Sequence, residues 1–592
     1  MGLLQKAYET YDNHLDMLGK YYDDYSGVLV PIAHTLTNAD IEITLDDRGN
    51  FISARKIDKK EGKVVIPVTE ESAGRTSGPC PHPLCDQLGY LSSKNQFKHK
   101  LYMDALNQWA ESPFSHPKVK AVYLYLSQDH IFEDLEQLGL AKMEDGSIVN
   151  EKDLIVFNFV NFGPNNGPCY TDLSLFNAFS AYYLKGLSNR GLCMVSGKLE
   201  TLAKQHPKGI VAINGNAKII SANDSNGFTY RGRFCNDEEA LSVGYEASQK
   251  AHSALRWLIG NGDLIAGRSF ICWNPQGKKL PSMISPFEIL EKSITEPAIY
   301  QRELKAKILY YQEGLPTGNE DVVVASFDAA TPGRLSVAYY NELKSSDFLE
   351  RLYKWDAHCC WWTSRSGINS IFSPSIFSIV KNAFGVQRKQ GENFIMECDE
   401  RILKKEFQEL ISCRINGTPI PKAIVRLLGE RASNPQMFDA SVWRRIVFTA
   451  SSAINMLYYY TKGEDVMSWT LDKKDRSFQF GRLLAVLERA EADYYSVSGE
   501  TRLTNAMKQM SRFKQRPLSI FEQINHQLYA AYLPRVAEWQ RRRYEKLRDE
   551  IMAIIYEFPE NEINNRLDDI YILGYEMQRN AFYKKNTQQE EE

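Results

Sequence analysis

The stretch Asp475-Arg-Ser-Phe-Gln-Phe-Gly-Arg-Leu-Leu-Ala-Val-Leu-Glu-Arg-Ala-Glu-Ala-Asp-Tyr-Tyr495 decides how the carboxy-terminal part of the chain folds. Phe480, Leu483, Leu484, Leu487, Ala490 and Tyr494 recur at three- and four-residue spacing, which lines one side of an α-helix, whereas Arg482, Glu488, Arg489, Glu491 and Asp493 fall mostly elsewhere. The pattern predicts an amphipathic helix with one buried face. Beyond it, Pro517, Pro534 and Pro559 cut the chain into segments of helical length, as in a bundle with short connections.

Upstream, strand patterns are mixed with helical ones. Ile41, Ile43 and Leu45 alternate with polar residues, Asp47-Arg48-Gly49-Asn50 supplies a turn, and 51–57 returns, so a hairpin is predicted. Further strands are expected at 154–160, 270–273, 322–327 and 335–340, with shorter candidates at 194–195, 210–213 and 218–222. Helices are expected at 4–22, 101–109, 172–187 and 239–259, and the Gly- and Pro-rich stretch 73–90 reads as a loop. From about Ser345 the strand signal fades. The predicted fold class is therefore α+β. It comprises an amino-terminal α+β domain over 1–345, a helical middle region over 346–466 and a helical bundle over 467–592.

At 592 residues the chain exceeds one core. Hydrophobic residues at 43% and charged residues at 24% describe an ordinary folded protein. A net charge of −3 leaves any nucleic-acid contact to local patches. The first residues lack the apolar run of a signal peptide, and no segment has the length and apolarity of a membrane span. Ten irregularly spaced cysteines point to free thiols and a cytoplasmic setting.

Motifs for catalysis are weak. Gly262-Asp-Leu-Ile-Ala-Gly267-Arg268-Ser269 nearly fits a phosphate-cradling loop, yet a helix precedes it and a strand follows, and Arg268 stands where lysine belongs. Cys80, His82 and Cys85, and likewise His358, Cys359 and Cys360, lack the paired spacing of zinc ligands. Gln128-Asp129-His130 has no partners at helical spacing. No catalytic set, metal or cofactor is expected.

Basic patches say more. Residues 501–548 carry eleven Lys/Arg, among them Lys508, Arg512, Lys514, Arg516, Arg541, Arg542 and Arg543, against three acids, a net charge of +8. Tyr529, Tyr532, Trp539 and Tyr544 lie among them, and basic grooves with aromatics hold single strands without reading sequence. A second candidate surface, 213–233, gathers Asn214, Asn216, Lys218, Asn223, Arg231 and Arg233 among glycines, side chains able to meet base edges and phosphates. A solvated helical face and a polar surface loop are the plainer readings of these two patches.

Ordered motifs run nearly end to end. They are Arg75-Thr-Ser-Gly78 with the Pro/Leu/Asp/Tyr pattern through Tyr90, Cys193-Met-Val-Ser-Gly197 with His206-Pro207, Ile219-Ile-Ser-Ala-Asn223, and Phe228-Thr-Tyr230. Ala329-Ala-Thr-Pro-Gly-Arg334-Leu-Ser-Val, Phe480-Gly-Arg-Leu-Leu-Ala-Val-Leu-Glu488, Ile572-Leu-Gly-Tyr575 and Gln578-Arg579 follow. In these the chain resembles the Dvulg-subtype CRISPR-associated family, the large subunits of type I-C CRISPR surveillance complexes (Cascade). The family usually has Tyr-His before the final Gln-Arg, where this chain has Glu576-Met577, and the 214–233 loop follows its pattern loosely.

The resemblance implies a non-enzymatic subunit of a guide-RNA-bearing complex. Such a subunit recognises the protospacer-adjacent motif in double-stranded DNA, supports R-loop formation, holds the displaced strand and docks a helicase-nuclease. It also implies a small helical subunit translated from within the same gene, for which Met467 is the expected start. Arg75, Ser77, Lys94, Asn95 and Lys98, with the 214–233 loop, are the expected motif readers. The rival readings are a stand-alone nuclease or NTPase and an unrelated helical adaptor.

Overall fold

The computed structural model describes residues 2–21, 27–58, 63–75, 78–211, 215–221, 231–289, 294–331, 333–365, 368–499 and 502–587. Ser77, Asn214 and Asn223 lie outside them. The chain forms two compact units, Met1–Lys279 with Asp321–Glu342, and Leu280–Glu320 with Leu343–Glu592.

In the first unit the predicted hairpin forms, with Ile41 opposite Lys56. The Asp46 carboxylate accepts the Arg48 and Asn50 N–H groups at 2.9 and 2.8 Å, and Gly49 takes the left-handed φ of +77° that the turn requires. Ile41–Leu45 also pairs in parallel with Ile155–Phe159, an arrangement that needs a crossover. Helices Gln96–Ala110 and Pro117–Ser127 lie within that connection. Ile43, Leu45, Ile155, Phe157, Trp109, Val122 and Tyr125 form a continuous core with them.

A second core joins helices Leu3–Asp12 and Tyr245–Gly260 to a four-stranded sheet ordered Asp263–Ile265, Arg268–Trp273, Asp321–Thr331, Arg334–Lys344. The near match to a phosphate loop lies at the start of this sheet. Ala266 and Gly267, at φ +47° and +76°, turn one strand into the next, and Arg268 pairs with Asp328 at 3.0 Å.

Two of the shorter strand candidates are not strands. Residues 194–195 belong to a turn in which Cys193 Sγ accepts the Val195 and Ser196 N–H groups, between the short strands Arg190–Leu192 and Leu199–Thr201. At 218–221, Lys218 alone bridges Arg334, and Ala222, the last residue of that candidate, lies outside the described residues. The third, 210–213, lies partly outside the described residues; its described part is not strand.

The second unit is mostly helical, yet strands continue past Ser345 in two hairpins, Trp361–Arg365 with Ile368–Phe372 and Val386–Gln390 with Asn393–Glu397. The latter is mostly exposed, so it shows no alternation of apolar and polar residues. Arg414 and Asp356, each 1% exposed, pair at 3.0 Å inside this unit, and Arg414 also donates to the Met283 and Ser285 carbonyls.

Helix Arg476–Ser498 begins on an Asp475 cap and ends at Gly499, φ +72°. It is buried on nearly every side, not on one face, and Arg482, Glu488, Glu491 and Asp493 are buried with it. Each has a partner, as burial of a charge demands. Arg482 donates to Gln578 at 3.0 Å. Glu488 accepts the Tyr575 hydroxyl at 2.9 Å, Glu491 the Asn505 N–H at 2.7 Å, and Asp493 the Tyr544 hydroxyl. Pro517 opens the helix Pro517–Gln527 and Pro559 precedes Glu560–Ile563, so the prolines punctuate the bundle as expected.

Candidate nucleic-acid interface

The stretch 73–90 is not loop throughout, because Ala73 and Gly74 end helix Glu70–Gly74 and 88–90 belong to helix Leu88–Leu91; Arg75 lies between the two helices, mostly buried. Its guanidinium grips Asp86 through two hydrogen bonds of 2.6 and 2.9 Å, donates to the Cys80 carbonyl and stacks on Tyr90. Asp86 has no exposed side chain and also accepts the His82 and Gln87 N–H groups. Arg75 is thus held as a structural cation.

Nearby, Asn95 caps helix Gln96–Ala110 by accepting the Lys98 N–H at 3.3 Å. Lys94 is exposed and pairs with Glu133 at 2.8 Å; Lys98 reaches Glu151 at 3.4 Å. Between the two lysines, Phe97 is 66% exposed. Uncovered aromatic rings are the groups on which bases stack, and sequence periodicity had no means of marking this one.

Of the second surface, Asn216, Arg231 and Arg233 are exposed. Lys218 is half-buried and lines a cleft of about 80 Å³ together with Lys208, Arg256, Glu70 and His206. Lys208 and Arg256 were not marked by the sequence, because they come from separate segments.

The basic stretch divides. Lys508, Arg512 and Arg516 are exposed, and Arg512 and Arg516 have no ion pair among the described residues. Lys514 is 2% exposed and pairs with Glu430 and Asp569 at 3.0 and 2.5 Å. Arg541 pairs with Glu545 at 3.2 Å and Arg542 with Glu538, one helical turn away in each case, and Arg543 lies over the Phe582 ring. Such exposed pairs hold little energy and open readily to a phosphate. Trp539, beside them, is 66% exposed, whereas Tyr544 is buried. A broad groove of about 530 Å³ adds Lys422, Arg426 and Arg566, facing Asp568 and Asp569.

The thiol and imidazole groups have structural partners. Cys85 and Cys169 Sγ lie 3.5 Å apart, His82 bonds Ser72 at 2.9 Å and His358 bonds Asp465 at 3.2 Å. Among the described residues no three His, Cys, Asp or Glu converge as metal ligands, and no helix is long and apolar enough to cross a membrane.

Residues 5–583 match the family described as CRISPR-associated protein (Cas_Csd1). No curated protein matches the chain.

Proposed function

The chain belongs to the CRISPR-associated protein (Cas_Csd1) family, and on that premise we propose that it is the non-catalytic large subunit of a type I-C DNA surveillance complex. The match over residues 5–583 carries this reading. In such a complex guide pairing supplies sequence specificity, while protein contributes motif and shape recognition.

The α+β region would read the adjacent motif through Lys94, Asn95, Lys98 and the residues around Lys218. The exposed cations Lys508, Arg512, Arg516, Arg541 and Arg542, with half-buried Arg543 and exposed Trp539, would track the displaced strand, since phosphates supply affinity and stacking supplies grip. A helicase-nuclease would dock on the assembled particle, and a short helical subunit would begin at Met467.

The test is isolation of the native complex. The proposal expects a guide RNA and several copies of a backbone protein to co-purify with the chain. It also expects the purified chain, given DNA, magnesium and ATP, to turn over neither. Steady nuclease or ATPase turnover lost on substitution within this chain would replace the proposal with the enzyme reading.

A further inference from the structure

Half-buried and buried cations of the first unit are, as a rule, matched by carboxylates. Lys6 meets Glu9 and Asp321, Lys118 meets Asp172, Lys250 meets Asp12 and Glu246, Arg75 meets Asp86, and Arg268 meets Asp328. The cleft beside helix Tyr245–Gly260 breaks the pattern. Lys208, Lys218 and Arg256 line it with Glu70 as the one acidic residue, and none of the three cations has an ion pair among the described residues.

Backbone hydrogen bonds place the Arg256 guanidinium and the main chain of Lys218. Arg256 donates from Nε to the Gly209 carbonyl at 3.0 Å and from Nη2 to the Lys208 carbonyl at 2.7 Å. Gly209, at φ +73°, gives the chain the left-handed turn at this point. Lys218 is fixed where its N–H donates to the Gly333 carbonyl and its own carbonyl accepts the Leu335 N–H. Glu70 offsets only one of the three positive charges, and its carboxylate also accepts the Gln205 N–H.

Positive charge is in excess here, three cations against one carboxylate. Burial and the neighbouring Lys208 push the Lys218 ammonium below its ordinary pKa, and burial alone pushes the Arg256 guanidinium down. His34 and His206, lowered by burial to about 4 and about 3, are neutral at pH 7 and leave the lining at a net +2. Like charges held together in a cleft favour a counter-anion.

We propose that this cleft binds one phosphate group, held by Lys208, Lys218 and Arg256. Its volume of about 80 Å³ is far below the roughly 300 Å³ at which small-molecule pockets begin, so it takes the anion and not a nucleobase. Inorganic phosphate and a strand phosphodiester share this chemistry. The strand as the source rests on the function proposed above; the anion site does not.

Calorimetric titration of inorganic phosphate into the full chain at low ionic strength, against a chloride control, tests the site. Saturable one-to-one binding is expected. Lys208→Gln and Lys218→Gln should each weaken it by about tenfold, the loss of one charge-assisted hydrogen bond, while Lys305→Gln, at an exposed lysine of the second unit, leaves it unchanged. Both lysine side chains are half-exposed, so these variants keep the fold, which circular dichroism verifies. Absence of saturable binding, or binding indifferent to both lysine changes, overturns the inference. DNA anisotropy with the same variants then assigns the source. Parallel loss of DNA affinity identifies a strand phosphate; unchanged DNA affinity identifies free phosphate. A chain that binds phosphate but no DNA in any assembly keeps the cleft and refutes the proposed function.

Discussion

Gly481 and Gly574 let helices Arg476–Ser498 and Tyr571–Thr587 cross at backbone contact. A β-carbon at Gly481 would run into the Tyr571 carbonyl, and one at Gly574 into the Phe478 carbonyl. Both glycines stand inside the sequence motifs Phe480–Glu488 and Ile572–Tyr575. Alanine at a helical position otherwise gains about 1 kcal/mol over glycine, but overpacking against rigid backbone costs about 1–3 kcal/mol or more. Gly481→Ala and Gly574→Ala should therefore destabilise the protein, whereas Gly314→Ala, whose β-carbon meets nothing within 4 Å, should not. Thermal unfolding of the three variants decides it, and equal melting temperatures would remove the crossing as a determinant of stability.

A pH dependence follows from Glu576. Burial pushes its carboxyl from 4.5 to about 7, against the opposing pull of Arg444 and with a further push from Glu488. Arg579 and Arg444 approach it at 3.2 and 3.7 Å. The native state holds this proton more tightly than the unfolded chain does, so stability is full below about pH 4.5 and falls as pH rises to about 7. Glu488, also raised by burial, acts with the same sign. Glu576→Gln should lose this slope. Relative to wild type it should gain up to about 1.4 kcal/mol per pH unit across that window. Denaturant curves at pH 5 and pH 8 measure it, and identical pH dependence in both proteins would contradict the assignment.

Neighbouring basic residues should behave in opposite ways. Lys514→Ala removes the buried cation that Glu430 and Asp569 share and leaves Glu430 with Arg566. Because both acids are partly exposed, the cost is discounted from the full buried-pair value to about 2–3 kcal/mol. Arg512→Ala and Arg516→Ala should change stability by less than about 0.5 kcal/mol. Each should instead lower the salt dependence of DNA binding by about one unit of slope where it meets a phosphate. A stable Lys514→Ala, or unfolding of Arg512→Ala, would reverse this division.

The contrast shows which parts of the structure were readable in the sequence. The 41–57 hairpin was legible because its turn chemistry and alternation are local, and helix Arg476–Ser498 because its period is. Its burial on nearly every side was not, since Arg482, Glu488 and Asp493 are satisfied by Gln578, Tyr575 and Tyr544, far along the chain. Within the candidate interface, Lys514 and Arg512 look alike in a charge run, and only distant acids separate them. Lys218 was marked, but Lys208 and Arg256 join it only through the fold.

The Met467 start makes the last prediction. Met467 sits in the short turn Val466–Ser468, between helices Ala440–Lys462 and Arg476–Ser498, and its N–H is held by Asp465 at 3.0 Å. A product running from there to Glu592 has 126 residues, a usual domain size. It keeps the Gly481–Gly574 crossing, the Asp493–Tyr544 bond and the Lys514–Asp569 pair. It loses Glu430 beside Lys514, Ser433 beside the Tyr571 hydroxyl and Trp443 against Tyr575, which leaves one uncovered face on an otherwise complete bundle. Met456, the preceding methionine and an alternative start, is fully buried within helix Ala440–Lys462, and a product beginning there would carry the apolar last turns of that helix without their partners. Met467→Leu preserves volume next to Cys360 and should cost less than about 1.5 kcal/mol. It should abolish a short co-purifying polypeptide while full-length chain remains. Intact-mass spectrometry of the native complex reads this directly, and a wild-type complex without the fragment, or a fragment that survives Met467→Leu, would rule the start out.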